Sequence, residues 1–199
     1  MWPGSCVKPS TKVSSTKLIF MKFRFQCIIL MLVLLGSNAF AQPFTEFLPK
    51  DLKDKIWASN ECFEKTDSNC FTSFYTILGA LDKESAYHPF IRTSIAIQLL
   101  RKGEMDSTII YLDKASKEIA EGKIKNDTAK VTLQADISNV YAEVYYMQGK
   151  LEKAIEASLN YFKLLEKYGS AEQKINAKMN LASIYSVSEN QEMSIKINL

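Results

Sequence analysis

Residues 141–155, YAEVYYMQGKLEKAI, show most clearly how this chain folds. Ala142 and Tyr145 are three residues apart and share one face of a helix, where the small alanine lets a neighbouring helix approach closely. Gly149 permits the tight turn that ends this helix. Ala154 then starts the apolar stripe of a returning helix. The stretch therefore predicts two antiparallel helices joined by a short turn.

The same order of residue types recurs on both sides of this stretch, which indicates an internal repeat. Forty residues further on, the positions hold Leu181, Ala182, Ile184, Tyr185, Ser194 and Ile195, with Glu189 in place of the turn glycine. Forty-six residues upstream, they hold Ile95, Ala96, Leu99, Gly103, Thr108 and Ile109. A single helix pair cannot bury its apolar face alone, so we expect neighbouring pairs to stack.

This spacing resembles the tetratricopeptide repeat, in which a large apolar residue, a small residue, a tyrosine, a glycine and an alanine stand at fixed intervals. In this chain those positions are held by Tyr141, Ala142, Tyr145, Gly149 and Ala154. The resemblance covers roughly residues 87–199. It implies an α-solenoid of antiparallel helix pairs, a tetratricopeptide-like superhelix. The intervals of 46 and 40 residues exceed the family's usual length of about 34, which implies longer helices or longer loops.

Composition and periodicity also favour an all-α protein. The chain holds only 7 Gly and 5 Pro, and no stretch alternates apolar and polar residues as a half-buried strand would. Helices are predicted over residues 50–62, 68–82, 89–102, 105–121, 127–148, 151–168, 171–187 and 191–199. Residues 42–86 are interpreted as an N-terminal helix pair or cap. The repeats follow over about 87–121, 127–168 and 171–199, and the last of them is incomplete.

The N-terminal region is typical of an export signal. Residues 21–41, MKFRFQCIILMLVLLGSNAFA, combine two basic residues, a short apolar run and an Ala-x-Ala site that ends at Ala41. The apolar run covers residues 27–35, which is too short to span a bilayer. We therefore predict a signal peptide cleaved between Ala41 and Gln42, and a periplasmic or secreted protein. Residues 1–20 indicate an overextended start upstream of a true initiator at residue 21, or else a long basic leader.

Two cysteines remain after the predicted leader, Cys62 and Cys70. An even pair in an oxidising compartment favours a disulfide. Their spacing suits a bridge from the end of one helix to the start of the next. Two separately buried thiols are the alternative. No metal site is expected, because no further ligands lie nearby at the spacing that zinc sites use.

The sequence gives no sign of catalysis or of nucleic-acid binding. It contains no phosphate-binding glycine loop, no nucleophile elbow and no H-E-x-x-H motif. The single histidine, His88, precedes Pro89, so we expect it in a turn, with no nucleophile assignable beside it. The net charge of +3 comes from the leader, since residues 42–199 carry 20 basic and 22 acidic residues. We expect a protein that is not an enzyme, holds no cofactor and does not bind nucleic acid through this segment.

The resemblance carries the expectation of function. In the tetratricopeptide family the first helix of each repeat lines a groove that holds a peptide. We call the matching positions of this chain the predicted groove: Asp136, Asn139, Glu143, Tyr146 and Met147, then Asn176, Met179, Ser183 and Val187, and upstream Thr93, Ile97 and Arg101. The resemblance implies an exported bacterial scaffold that binds a protein or peptide there.

The alternative is the N-terminal, periplasmic sensory part of a longer signal-transduction protein. That protein would be a histidine kinase or a helix-turn-helix transcriptional regulator with tetratricopeptide-like repeats. In both cases a membrane is involved only through the export signal or through a region further downstream.

Overall fold

The helices of this protein follow one another with short connections. A computed structural model describes residues 43–64 and 70–187. A 3-10 helix, Pro43–Phe47, precedes α1 (Lys50–Glu64), α2 (Cys70–Ala80), α3 (His88–Arg101), α4 (Met105–Ala120), α5 (Asp127–Met147), α6 (Leu151–Tyr168) and α7 (Ala171–Val187). The described residues contain no strand, so the all-α prediction is confirmed. The helix limits differ from the predicted ones by at most two residues. The predicted cleavage site, Ala41 and Gln42, and the predicted helix at 191–199 lie outside the described residues.

The turns between α3 and α4 and between α5 and α6 have the same conformation. Gly103 and Gly149 stand at equivalent positions with φ of 79° and 72°, a left-handed conformation that favours glycine. In both turns the residue after the glycine donates its N–H to the carbonyl oxygen five residues earlier, at 2.9 and 2.8 Å. This bond caps the end of the preceding helix. The sequence repeat of 46 residues is therefore also a repeat of backbone geometry.

Small residues lie where the paired helices meet. Ala96 and Thr108 are fully buried between α3 and α4, and Ala142 and Ala154 are 3% and 0% exposed between α5 and α6. Thr108 stands where the second pair has an alanine. Its hydroxyl donates to the Glu104 carbonyl oxygen at 2.9 Å, so it needs no partner outside its own helix. Close packing at these positions makes α3–α4 and α5–α6 two helical hairpins.

The central helix is α3, which is buried on every side. It contacts α1, α2, α4 and α5. Its buried hydroxyls are satisfied within the helix, since Thr93 donates to the Pro89 carbonyl at 2.8 Å and Ser94 to that of Phe90 at 3.1 Å. The apolar core around it includes Ile56, Phe74, Ile91, Ile95, Leu112, Ile119, Leu133, Val140 and Val144. Each such side chain contributes about 1.5–3 kcal/mol by leaving water.

An ion cluster fixes the start of α3 to the end of α4. His88 is the first residue of α3 instead of a turn residue, because Pro89 fits the first turn of a helix, where no N–H is needed. The Glu118 carboxylate lies 3.0 Å from Arg92 Nε, 3.6 Å from His88 Nδ1 and 3.8 Å from Lys123 Nζ. One carboxylate thus serves three basic groups.

A disulfide joins Cys62 in the last turn of α1 to Cys70, the first residue of α2, with Cα atoms 5.4 Å apart. Cys70 is fully buried. The bond ties the first two helices together beside the core. Within the described ranges, no helix has the length and apolar character that crossing a membrane requires.

Candidate binding face

Amide side chains connect the first helices of successive pairs. The Gln98 amide of α3 donates to Asn60 Oδ1 of α1 at 2.8 Å. The Asn180 amide of α7 donates to Asn139 Oδ1 of α5 at 3.2 Å. Gln98 is fully buried and Asn139 is 6% exposed, so both bonds lie in surroundings that require polar groups to be paired. These contacts place polar groups along the helices that contribute the predicted groove.

Charged side chains of α3 and α5 also act on each other. Glu143 of α5 is partly buried, and burial raises its pKa to about 7, while the charge of Arg101 on α3 acts in the opposite direction. The Asn139 amide donates to Glu143 Oε1 at 3.4 Å. Glu143 therefore titrates near neutral pH in contact with the amide links. We call the six side chains Asn60, Gln98, Arg101, Asn139, Glu143 and Asn180 the polar ladder.

A second carboxyl of α5 is buried beside the polar ladder. Asp136 is 7% exposed, and its Oδ2 atom is buried with no hydrogen-bond partner in the described part of the chain. Burial raises the pKa of Asp136 to about 8, because the charged form loses its hydration. Burial also raises the pKa of Tyr161 on α6, and the negative charges of Asp136 and Glu143 add to that effect. At neutral pH the Asp136 carboxyl is therefore mostly protonated.

The predicted groove is covered at α3 and partly covered at α5. Thr93 and Ile97 are 0% and 4% exposed, and Asp136 and Asn139 are 7% and 6% exposed. These four positions were expected on an open surface, and the structure instead places them inside the packed helices. Arg101 is exposed. The physical cause is that α3 is surrounded by other helices and that α5 packs against α3, α4, α6 and the 3-10 helix.

The predicted groove is more open where α5 ends and along α7. Met147 and Met179 are 45% and 57% exposed, and Asn176 is exposed as well. The side chains of Glu143, Tyr146 and Ser183 are partly buried. The accessible part of the predicted groove thus consists of Met147, Asn176 and Met179, flanked by the partly buried positions.

A further groove, of about 770 Å³, is lined by residues of α4, α5 and α6. The sequence analysis did not predict it. Tyr141 and Tyr145 of α5 line it, and their rings stack with centroids 5.9 Å apart. The Tyr141 hydroxyl donates to Asp113 of α4, and Lys153 of α6 lies 5.5 Å from the Tyr145 ring centre. The spacing of two tyrosines four residues apart was the available signal.

No cluster of three or more His, Cys, Asp or Glu side chains able to hold a metal ion occurs in residues 43–64 and 70–187. The chain was also compared with known proteins. No family model, no curated protein and no solved structure matches it.

Proposed function

We propose that this chain is an exported scaffold, an α-solenoid of tetratricopeptide-like helix pairs, that binds a peptide or protein along the predicted groove and catalyses no reaction. Two findings support the proposal. The α3–α4 and α5–α6 turns repeat the same geometry after 46 residues. The polar ladder joins α1 to α3 and α5 to α7, which are the first helices of the predicted pairs.

The observation that carries the proposal is the exposure of large apolar side chains beside the polar ladder. Met147 and Met179 are 45% and 57% exposed on α5 and α7. Methionine is flexible and polarisable, so it adapts to partners of different shape. A surface that combines such side chains with an exposed amide, that of Asn176, offers both apolar contact and hydrogen bonds, as protein interfaces do.

Site-specific photocrosslinking tests this proposal. A photoreactive residue replaces Met179 or Met147 in the full chain, and in matched controls it replaces Ile110 of α4 or Leu159 of α6, which are 51% and 45% exposed. We expect a discrete crosslinked product from the two methionine positions and none from the controls. Equal crosslinking from all four positions, or crosslinking from the controls alone, contradicts a binding face on α5 and α7.

Export is tested separately by locating the processed N-terminus. We expect the protein outside the cytoplasm to begin at Gln42, one residue after Ala41. A protein that stays in the cytoplasm with residues 21–41 attached contradicts the export part of the proposal. In that case the crosslinking result alone decides whether the chain binds a partner.

A further inference from the structure

The segment before α1 packs against a helix that is distant in the sequence. The 3-10 helix Pro43–Phe47 contacts α5, although α1 follows it within three residues. Thr45 and Leu48 are 5% and 7% exposed, whereas Glu46 is exposed. Because a 3-10 helix has three residues per turn, residues 45 and 48 share one face. That face is the one the segment buries.

The segment connects two neighbours of α3. Helix α3 contacts both α1 and α5, and the segment is continuous with α1 and contacts α5. The predicted groove positions of α3, Thr93 and Ile97, are buried, and so are Asp136 and Asn139 on α5. Met179 of α7 stays 57% exposed, and no extensive contact joins α7 to the segment. The covered part of the predicted groove thus lies on α5, which the segment contacts, and on α3, which lies next to α5.

We propose that residues 43–48 are an internal ligand of the predicted groove, which they occupy until a partner's short apolar, aromatic segment displaces them. The inference rests on the proposed function and names the chemistry of the partner. The internal segment reads PFTEFL, with Phe47 partly buried against the core and Leu48 inside it. A groove that accepts this segment fits another of the same kind, with an aromatic residue followed by a leucine.

The internal segment is suited to displacement because it is short and because Glu46 stays exposed and Phe47 is only partly buried. Of residues 45–48, only Thr45 and Leu48 are buried. The Leu48 N–H donates to the Thr45 carbonyl oxygen at 3.2 Å, a bond within the segment itself. Tethering raises its effective concentration at the groove, so it holds its place although it is short. A segment that occupies its site in about nine molecules of ten weakens a competing ligand about tenfold.

The probe is a fluorescent peptide with the sequence of residues 42–50, QPFTEFLPK. Its binding is followed by fluorescence anisotropy with three proteins: the full chain, the full chain with residues 43–48 deleted, and the full chain carrying Leu48→Asp. We expect the deletion and Leu48→Asp to bind the peptide at least about tenfold more tightly than the unaltered chain. A peptide that itself carries Leu48→Asp is the matched control and is expected to bind none of them.

Hydrogen exchange on the unaltered chain covers the case in which both variants fail to fold. We expect millimolar peptide to speed the exchange of the Leu48 amide, because the displaced segment loses its internal bond. No change in Leu48 exchange, or equal peptide binding by the unaltered chain and a folded variant, overturns the internal ligand. A partner crosslinked at Met179 together with either of those results leaves the proposed function intact. If the peptide binds the variants more tightly as expected but no partner is crosslinked, the proposed partner binding fails and the internal ligand stands.

Discussion

Replacing Asp136 by asparagine should make this protein more stable at neutral and alkaline pH. The side chain keeps its shape in this exchange, but it can no longer ionise. Asp136 is 7% exposed, and its Oδ2 atom is buried without a hydrogen-bond partner among the residues that the structure describes. A buried carboxylate that lacks a partner is costly, so the folded protein keeps the carboxyl protonated.

The pH range follows from the two pKa values. Burial raises the pKa of Asp136 from 3.8 to about 8. Between these values the unfolded chain has released the proton and the folded chain still holds it, so the free energy of unfolding falls as pH rises. Each pKa unit corresponds to about 1.4 kcal/mol, and a difference of about 4 therefore gives a loss of about 6 kcal/mol at most, complete near pH 8. Near pH 4 both states hold the proton and the loss is small.

Urea unfolding followed by circular dichroism at pH 4, 6 and 8 measures this effect. We expect Asp136→Asn to match the wild type at pH 4 and to exceed it by several kcal/mol at pH 8. Asp54→Asn, which alters an exposed carboxylate of α1, is the control and should change little at any pH. Equal stability of Asp136→Asn and the wild type at pH 8 would refute the argument, because it would mean that the folded protein ionises Asp136 without cost.

Three further changes test the helical framework by the same unfolding measurement. Glu118→Gln should cost about 2 kcal/mol, because it leaves three basic groups without their shared anion, and an unchanged stability would show that water already screens the cluster. Gly149→Ala should lower the free energy of unfolding by about 1 kcal/mol, because alanine is strained at the positive φ of this position. Gly79→Ala is the control and should not destabilise the protein, because Gly79 lies inside α2 with open space around it. Equal effects of the two changes would contradict the turn argument. Replacing Cys62 and Cys70 by alanine should cost about 2.5 kcal/mol through the loop of eight residues that the bond closes, and the difference should vanish in reductant.

The helices could be predicted because their signals are local. Gly149 permits the turn, Ala142 and Ala154 mark the helix crossing, and all three lie within 13 residues of one another. Apolar residues three and four apart then give the direction of each buried face. Signals of this kind need no knowledge of distant contacts, which is why the predicted limits of α6 and α7 agree with the structure at both ends.

The accessibility of the predicted groove could not be derived in the same way. Thr93 and Asn139 occupy groove positions by their place in the repeat, yet both are buried. Their burial depends on which elements pack against α3 and α5, and one element that packs against α5, the 3-10 helix Pro43–Phe47, is about 90 residues away from α5 in the chain. The groove lined by Tyr141 and Tyr145 was missed for a related reason. Whether a half-apolar ring is covered depends on how α4 and α6 are spaced around α5.

The cost of burying Asp136 bears on the role of α5. A position that an apolar residue or an asparagine would make more stable is the kind at which function opposes stability. If Asp136 is retained for binding, Asp136→Asn should be more stable at pH 8 and yet bind the QPFTEFLPK peptide less tightly in the chain that lacks residues 43–48. If the carboxyl has no part in binding, the peptide affinity stays the same while the stability rises. The two measurements on one variant therefore separate a functional carboxyl from one that is merely tolerated in the core.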